Sequence, residues 1–247
     1  MLRAAALSGV PHGFLGREGG VSTGVCAGLN VGIGSGDDPQ VVTENRRRAV
    51  EAVMPGATLV TCFQIHSADC VTITDVPPER PHGDALVTDR PGLALGILTA
   101  DCAPVLLADA EAGVVGAAHA GWKGALGGVT DSTIIAMEEL GARRERIAAA
   151  IGPCIARASY EVDEAFRARF ATDDPANERF FVDGRAGHAK FDLEAYVVHR
   201  LAAAGVRRIE ALGRDTYSDE RAFYSFRRAT HRGEADYGRQ VAIIGIR

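Results

Sequence analysis

The stretch Leu93-Ala94-Leu95-Gly96-Ile97-Leu98-Thr99-Ala100-Asp101-Cys102-Ala103-Pro104-Val105-Leu106-Leu107-Ala108 decides the reading of the fold. Two apolar runs flank a short polar turn, and each run has the length of a strand rather than of a helix. Outward from this pair, β-rich runs cover 58–65, 71–75, 85–88 and 113–118, and further strands are expected over 147–151, 208–212 and 240–246. Helices are expected over 39–53, 125–140, 161–170 and 193–204. Strands that follow one another through the middle without intervening helices, with helices after them, point to an α+β fold with mixed β-sheets in the centre flanked by helices. No internal period, low-complexity tract or linker divides the chain, so a single domain over 1–247 is expected.

At 247 residues the chain can bury a full core and needs neither disulfide nor metal merely to fold. Hydrophobic residues at 47% and charged residues at 24% give the balance of an ordinary globular protein, which excludes a disordered chain. A net charge of −5 supplies no basic face for a phosphate backbone, and Arg46-Arg47-Arg48 is too short to change that, so nucleic acid is not expected as a partner. The odd, scattered set Cys26, Cys62, Cys70, Cys102 and Cys154 favours a reducing compartment over a disulfide framework. Ser8, Gly9 and Pro11 cut short the faintly signal-like start, and no run of about 18 apolar residues offers a membrane span. The expectation is a cytoplasmic protein, a monomer by default, whose partners are small molecules.

The chemistry concentrates in three stretches: Gln64-Ile65-His66-Ser67-Ala68-Asp69, Thr99-Ala100-Asp101-Cys102, and Ala118-His119-Ala120-Gly121-Trp122-Lys123-Gly124. His66, Cys102 and His119 all fall just past the ends of apolar strands, where a sheet can hold a site in place. Two imidazoles and a thiolate suit zinc with one coordination position left open. Intervals of 36 and 17 residues are too long for a finger or ribbon, so the three can meet only through the fold of a whole domain, which favours a catalytic ion over a structural one. Asp69 and Asp101 lie beside two of these residues and could orient an imidazole or shuttle a proton, with Asp101 as the candidate shuttle. The ordinary alternatives are a cysteine that fills space, a histidine that bonds a loop and aspartates that end strands in turns.

Two further features bear on anions. Within the helix expected over 39–53, Val42, Arg46, Ala49 and Val53 share one stripe, so Arg46 lies on the face that packs inward. A guanidinium there needs an anionic ligand, a carboxylate or backbone carbonyls. Gly121 and Gly124 bracket Trp122 and Lys123 ahead of a helical stripe, and a glycine-bearing loop entering a helix can hold an anion, although the full P-loop pattern is lacking.

Taken together, Gln64-Ile65-His66, Gly83-Asp84-Ala85-Leu86-Val87-Thr88, Thr99-Ala100-Asp101-Cys102-Ala103-Pro104-Val105, Ala118-His119-Ala120-Gly121-Trp122, Ile151-Gly152-Pro153-Cys154-Ile155, and Phe226-Arg227-Arg228 followed by Gly238-Arg239-Gln240 resemble the YfiH/YlmD family. This is the group labelled laccase-domain or multicopper polyphenol oxidase proteins and linked to peptidoglycan editing, and the resemblance runs from about Pro11 to the C-terminus. It implies a central pair of sheets flanked by helices, with zinc held at His66, Cys102 and His119. It further implies purine nucleoside phosphorylase activity on adenosine, inosine and methylthioadenosine, adenosine deamination at the same site, and a pocket lined by Asn30 and Arg46. Two positions depart from the family pattern: Ala103 stands where leucine is common, and Asp215-Thr216-Tyr217 where Cys-Thr-Tyr is usual.

The reaction expected first is phosphorolysis, with phosphate held by Arg46 and by the loop containing Gly121 and Lys123. Two rivals use the same residues. In a cysteine hydrolase of the peptidoglycan-editing kind, Cys102 is the nucleophile and His119 its base. In a copper-dependent polyphenol oxidase, the two histidines and the cysteine form a blue-copper set. Copper ranks below zinc, because a laccase needs a further copper cluster served by His-x-His pairs, and the seven histidines form no such pair.

Overall fold

The computed structural model describes residues 1–247. The two runs that decide the fold become β5 (Leu93–Thr99) and β6 (Ala103–Asp109), and they lie in different sheets. The first sheet has four strands in the order β1 (His12–Leu15), β13 (Gln240–Gly245), β5, β2 (Thr58–Thr61), with β2 parallel and β13 antiparallel to β5. The second has six in the order β12 (Arg208–Ala211), β8 (Ala148–Ile151), β6, β7 (Val114–Ala120), β4 (Ala85–Thr88), β3 (Cys70–Thr72), again of mixed direction. The turn Ala100-Asp101-Cys102 is therefore the place where the chain crosses from one sheet to the other.

Alternation along the strands explains the layering, because successive side chains point to opposite faces. Leu95 and Ile97 of β5, with Ala242 and Ile244 of β13, meet Leu106 and Ala108 of β6 and Val115 and Ala117 of β7 between the sheets. On the outer face of the four-stranded sheet, Ala94, Val241 and Ile243 pack on Ala49, Val50 and Val53 of α1 (Pro39–Val53). The outer face of the six-stranded sheet carries Val105, Leu107 and Ala118 against α3 (Val129–Glu139) and α5 (Leu193–Ala203). The architecture is helix, sheet, sheet, helices, as the α+β expectation requires. No helix is long and apolar enough to cross a membrane.

A smaller three-stranded sheet, in the order β10 (Phe181–Asp183), β11 (His188–Phe191), β9 (Glu161–Asp163), joins the larger core through an aromatic cluster with α4 (Glu164–Asp173). Phe166 and Phe170 stack at 5.2 Å between centroids, and Trp122 sits 4.9 Å from Phe166, so this cluster buttresses the start of α2 (Trp122–Gly127).

Several boundaries differ from the sequence reading. The strand expected over 58–65 ends at Thr61, since beyond it the Gln64 side chain replaces the backbone: its amide nitrogen donates to the Leu98 carbonyl at 2.7 Å and its oxygen accepts from the Leu98 amide at 2.9 Å. The helix expected over 125–140 breaks at Gly128, whose φ of 95° ends α2 and lets α3 start in a new direction. The segment over 161–170 begins as β9 and turns helical at Glu164, where the Asp163 carboxylate caps the Phe166 amide. Four elements went unanticipated: β1, β10, β11 and α6 (Phe226–Arg232), each seven residues or fewer.

Candidate metal centre

His66, Cys102 and His119 converge, with one ligand atom from each lying within 4.8 Å of the others, although they come from three separate segments. Cys102 Sγ lies 3.9 Å from His66 Nε2, and the two imidazole rings meet edge-on with centroids 4.8 Å apart. A tetrahedral zinc with bonds of 2.0–2.3 Å needs ligand atoms about 3.5 Å apart, so the three fit a single ion with small adjustments.

Each ligand is presented by a local device. The Gln64 side-chain pairing with Leu98 carries the chain past the sheet edge, and His66 then turns back with φ of 62°. Asp101 has φ of 85°, and these two are the only non-glycine residues with positive φ. Such a conformation costs on the order of 1–3 kcal/mol and persists only where surroundings enforce it. Around Asp101 the enforcement is visible: one carboxylate oxygen accepts from the Thr216 hydroxyl at 2.7 Å, the other from the Ser225 hydroxyl at 2.9 Å and the Arg227 amide at 2.6 Å. Asp101, expected from sequence as a proton shuttle, also lines the cavity beside Cys102. Both oxygens are committed to fixed donors, so its part is to shape the turn that presents Cys102.

The orienting carboxylate is Asp84, not Asp69. Asp84 is fully buried, and its Oδ1 accepts from His119 Nδ1 at 2.8 Å, which leaves His119 Nε2 to face the ligand group. Its Oδ2 accepts from the Ile65 and Ser67 amides at 3.1 and 2.6 Å and from the Ser67 hydroxyl at 3.1 Å, so one carboxylate positions both histidine-bearing segments. Burial opposes ionisation of Asp84, but these donors hold its pKa down at about 2. Burial likewise works against charge on Cys102 and His119, yet each stabilises the other: the imidazoles bring the Cys102 thiol down to about 6, while the thiolate and Asp84 lift His119 to about 9. A thiolate ready at neutral pH is what a metal ligand or a nucleophile requires.

Gly121 serves the site by its bareness. A Cβ there would stand 3.0 Å from both Cys102 Sγ and His66 Cδ2, so any larger residue would press the ligands apart. It is also the N-cap of the six-residue α2. Lys123 faces a cavity of about 370 Å³ next to the centre, with Trp122, Ile65, Tyr160 and Phe226 among its walls, and has no carboxylate partner; its Nζ lies 5.6 Å from the Trp122 ring centroid. Arg46 also departs from expectation. Its guanidinium donates to the Val31 carbonyl and the Thr61 hydroxyl and stays outside the walls of the cavities at the centre, so the backbone-carbonyl alternative describes it. Asn30, fully buried, ties its own loop together instead of lining a pocket: its amide nitrogen donates to Ser35 and Asp37, and its oxygen accepts from the amides of Gly32 and Arg239.

The two departures from the family pattern are both accommodated. Ala103 pairs with Ala120 inside the sheet, and Asp215 accepts from the Ala156 amide, the Ser159 hydroxyl and the Tyr217 amide, which organises the 154–160 turn. His12 is buried against the N-terminal segment, where Nε2 accepts from the Ala4 amide and Nδ1 meets the Val10 carbonyl at 2.8 Å.

The family model described as multi-copper polyphenol oxidoreductase laccase matches residues 11–247. The chain belongs to this family. Among curated relatives, a protein of Deinococcus radiodurans named purine nucleoside phosphorylase is 44% identical over 247 residues, covering 100% of this chain and 92% of its own. One of Corynebacterium glutamicum, with the same leading name, is 39% identical over 94% of this chain and 93% of its own. Among solved structures, YlmD from Geobacillus stearothermophilus superposes with a TM-score of 0.88 at 32% identity, covering 99% of this chain and 94% of that one. The family's multi-copper description contrasts with the ligand inventory, since His66, Cys102 and His119 form the only group of three potential ligands.

Proposed function

We propose that the chain is a zinc-dependent purine nucleoside phosphorylase acting on adenosine, inosine and methylthioadenosine, and that the same site deaminates adenosine. The observation that carries this reading is an aromatic cavity, walled by Trp122, Tyr160 and Phe226, that opens directly onto His66 and Cys102. A flat heterocycle stacks on such faces whatever its substituents. The names of the relatives in Deinococcus radiodurans and Corynebacterium glutamicum support its purine nucleoside phosphorylase part.

In phosphorolysis a phosphate oxygen forms a bond to ribose C1′ as the C1′–N9 bond breaks, and the electron pair departs with the purine, which takes up a proton. In deamination water replaces the C6 amino group and ammonia leaves. His66, Cys102 and His119 would hold the zinc, which when bound would supply a Lewis acid. Asp84 keeps His119 in the tautomer that leaves Nε2 free, Asp101 fixes the Cys102 turn, and Trp122 with its Phe166 support orients the base.

One observation favours a second reading. Cys102, His119 and Asp84 also form the nucleophile, base and orienting carboxylate of a cysteine hydrolase, which fits a peptidoglycan-editing role. A single incubation separates the readings: zinc-loaded protein with adenosine, in phosphate and in phosphate-free buffer, with product identification. Free adenine and ribose 1-phosphate appearing only with phosphate support the phosphorylase. Absence of both with the zinc verified bound contradicts it, and activity that survives chelation but not alkylation of Cys102 points to the hydrolase. A copper–thiolate absorbance band in metal-replete protein would instead support the oxidase.

A further inference from the structure

Adjoining the aromatic cavity lies a second cavity of about 220 Å³, and the two share His66, Ala100 and Cys102 as a common wall. Its character is different. Its lining includes Arg80 and Arg239, the Gly32-Ile33-Gly34 loop and Thr99. Arg80 has no carboxylate within salt-bridge distance and only rests over the Phe63 ring, with its guanidinium carbon 5.6 Å from the centroid. Arg239 has a loose pairing with Asp236 at 3.5 Å and donates to the Tyr237 carbonyl. The amides of Ile33 and Gly34 bond no protein acceptor. Thr99 is 3% exposed, yet its hydroxyl has no hydrogen-bond partner at all. A buried hydroxyl without a partner costs free energy, so a group that bonds it belongs in this cavity. Gly32 completes the fit, because a Cβ there would stand 2.4 Å from Arg239 Cδ and push the guanidinium away.

We infer that this second cavity binds a tetrahedral oxyanion, inorganic phosphate in the reaction proposed above, with Arg80, Arg239 and the Thr99 hydroxyl as its donors. The inference rests on the phosphorylase reading for the anion's identity, but its geometry stands alone. It moves the phosphate from Arg46 and the Gly121 loop to a cavity of its own, so phosphate and purine occupy separate cavities that meet at His66 and Cys102. Asn30 becomes a positioning residue, since its side-chain oxygen holds the amides of Gly32 and Arg239 together.

The test titrates the full-length, zinc-loaded protein with inorganic phosphate alone, by calorimetry or by broadening of the phosphorus resonance, and separately measures KM for phosphate and for inosine. Arg80→Gln and Arg239→Gln are expected to weaken phosphate binding about 10-fold or more, the scale of a lost charge-assisted hydrogen bond, and to raise the phosphate KM without a matching rise in the inosine KM. Thr99→Val, which conserves volume, should weaken phosphate several-fold. Lys123→Gln, on the aromatic side, should leave phosphate binding unchanged. Phosphate affinity that ignores Arg80→Gln and Arg239→Gln, or falls with Lys123→Gln instead, overturns the site even if phosphorolysis proceeds. Phosphate bound in an Arg80-dependent way by a protein that cleaves no nucleoside would keep the site and remove the phosphorylase reading.

Discussion

Replacing Asp84 by asparagine changes one non-hydrogen atom and puts the whole centre under test. In the wild type all four donors around the carboxylate point at it: His119 Nδ1 on one oxygen, and the Ile65 amide, Ser67 amide and Ser67 hydroxyl on the other. An asparagine has one acceptor oxygen and one NH2. If the oxygen faces His119, the NH2 confronts the two amides; if it faces the amides, the NH2 confronts His119 Nδ1 and favours the tautomer with a proton on Nε2, which cannot ligate a metal. The first orientation leaves buried donors opposed, at about 1–3 kcal/mol, whereas the second satisfies them only by giving up the tautomer that can ligate. For a chain of this size that corresponds to roughly 2–4 °C in Tm for each kcal/mol. Loss of an orienting partner of this kind lowers metal affinity about 10–100-fold, equivalent to about 1.4–2.7 kcal/mol. Competition for zinc against a chromogenic chelator measures the affinity, and thermal unfolding of metal-free protein isolates the structural cost. A double-mutant cycle sharpens the test: with His119→Ala already present, Asp84→Asn should cost little further metal affinity, because the shared partner is gone. Asp84→Asn with wild-type zinc affinity, or costs that simply add, would refute the assignment.

Other consequences follow from the same geometry. In metal-free protein the rate of Cys102 alkylation should rise as pH increases through about 6, and His119→Ala should move that rise towards the ordinary thiol range; mass spectrometry should find Cys62 and Cys70, pushed by burial up to about 12, unreacted at neutral pH. Asp84 has its folded pKa below its unfolded one, so its stabilisation is complete above the ordinary carboxylate pKa near 3.8 and lost as pH falls towards about 2; Asp84→Asn should flatten the acid limb of metal-free stability over that window. Gly121→Ala should weaken zinc at least several-fold while leaving Tm of the metal-free protein nearly unchanged, since the added Cβ meets Cys102 and His66 rather than the core. Phe226→Ala removes a half-exposed stacking face worth about 1–3 kcal/mol, so the nucleoside KM should rise about 5- to 150-fold with phosphate KM unaffected.

The grouping of His66, Cys102 and His119 was legible in the sequence as residue types that follow apolar runs, although His119 lies inside β7 rather than past its end, and the crossing from β5 to β6 was visible as a polar break between two apolar runs. The partners of those ligands were not. Asp84 looks like a turn residue after Gly83, and its bond to His119 spans 35 residues and arises only because β4 pairs with β7. Asp101, adjacent to Cys102, carried no sign in the sequence of the three donors from Thr216, Ser225 and Arg227 that hold its carboxylate. The helical stripe placed Arg46 inward correctly, but periodicity cannot tell a carbonyl partner from an anion. Arg80 and Thr99 carried no local signal, since one lies in an irregular loop and the other reads as the last residue of a strand. The small aromatic sheet was missed for a related reason: strands of three or four residues such as β10 and β11 hold their places by packing Phe181 and Phe191 against α4, a tertiary effect beyond any short window.

The central claim is that two imidazole nitrogens and one sulfur bind one divalent ion and leave it open to the aromatic cavity. X-ray absorption at the zinc edge, on full-length protein with metal content measured in parallel, tests it most directly. The account predicts one zinc per chain with one sulfur near 2.3 Å and light scatterers near 2.0–2.1 Å, and loss of the sulfur shell in Cys102→Ser. Zinc without a sulfur neighbour, or a sulfur shell that survives Cys102→Ser, would contradict it.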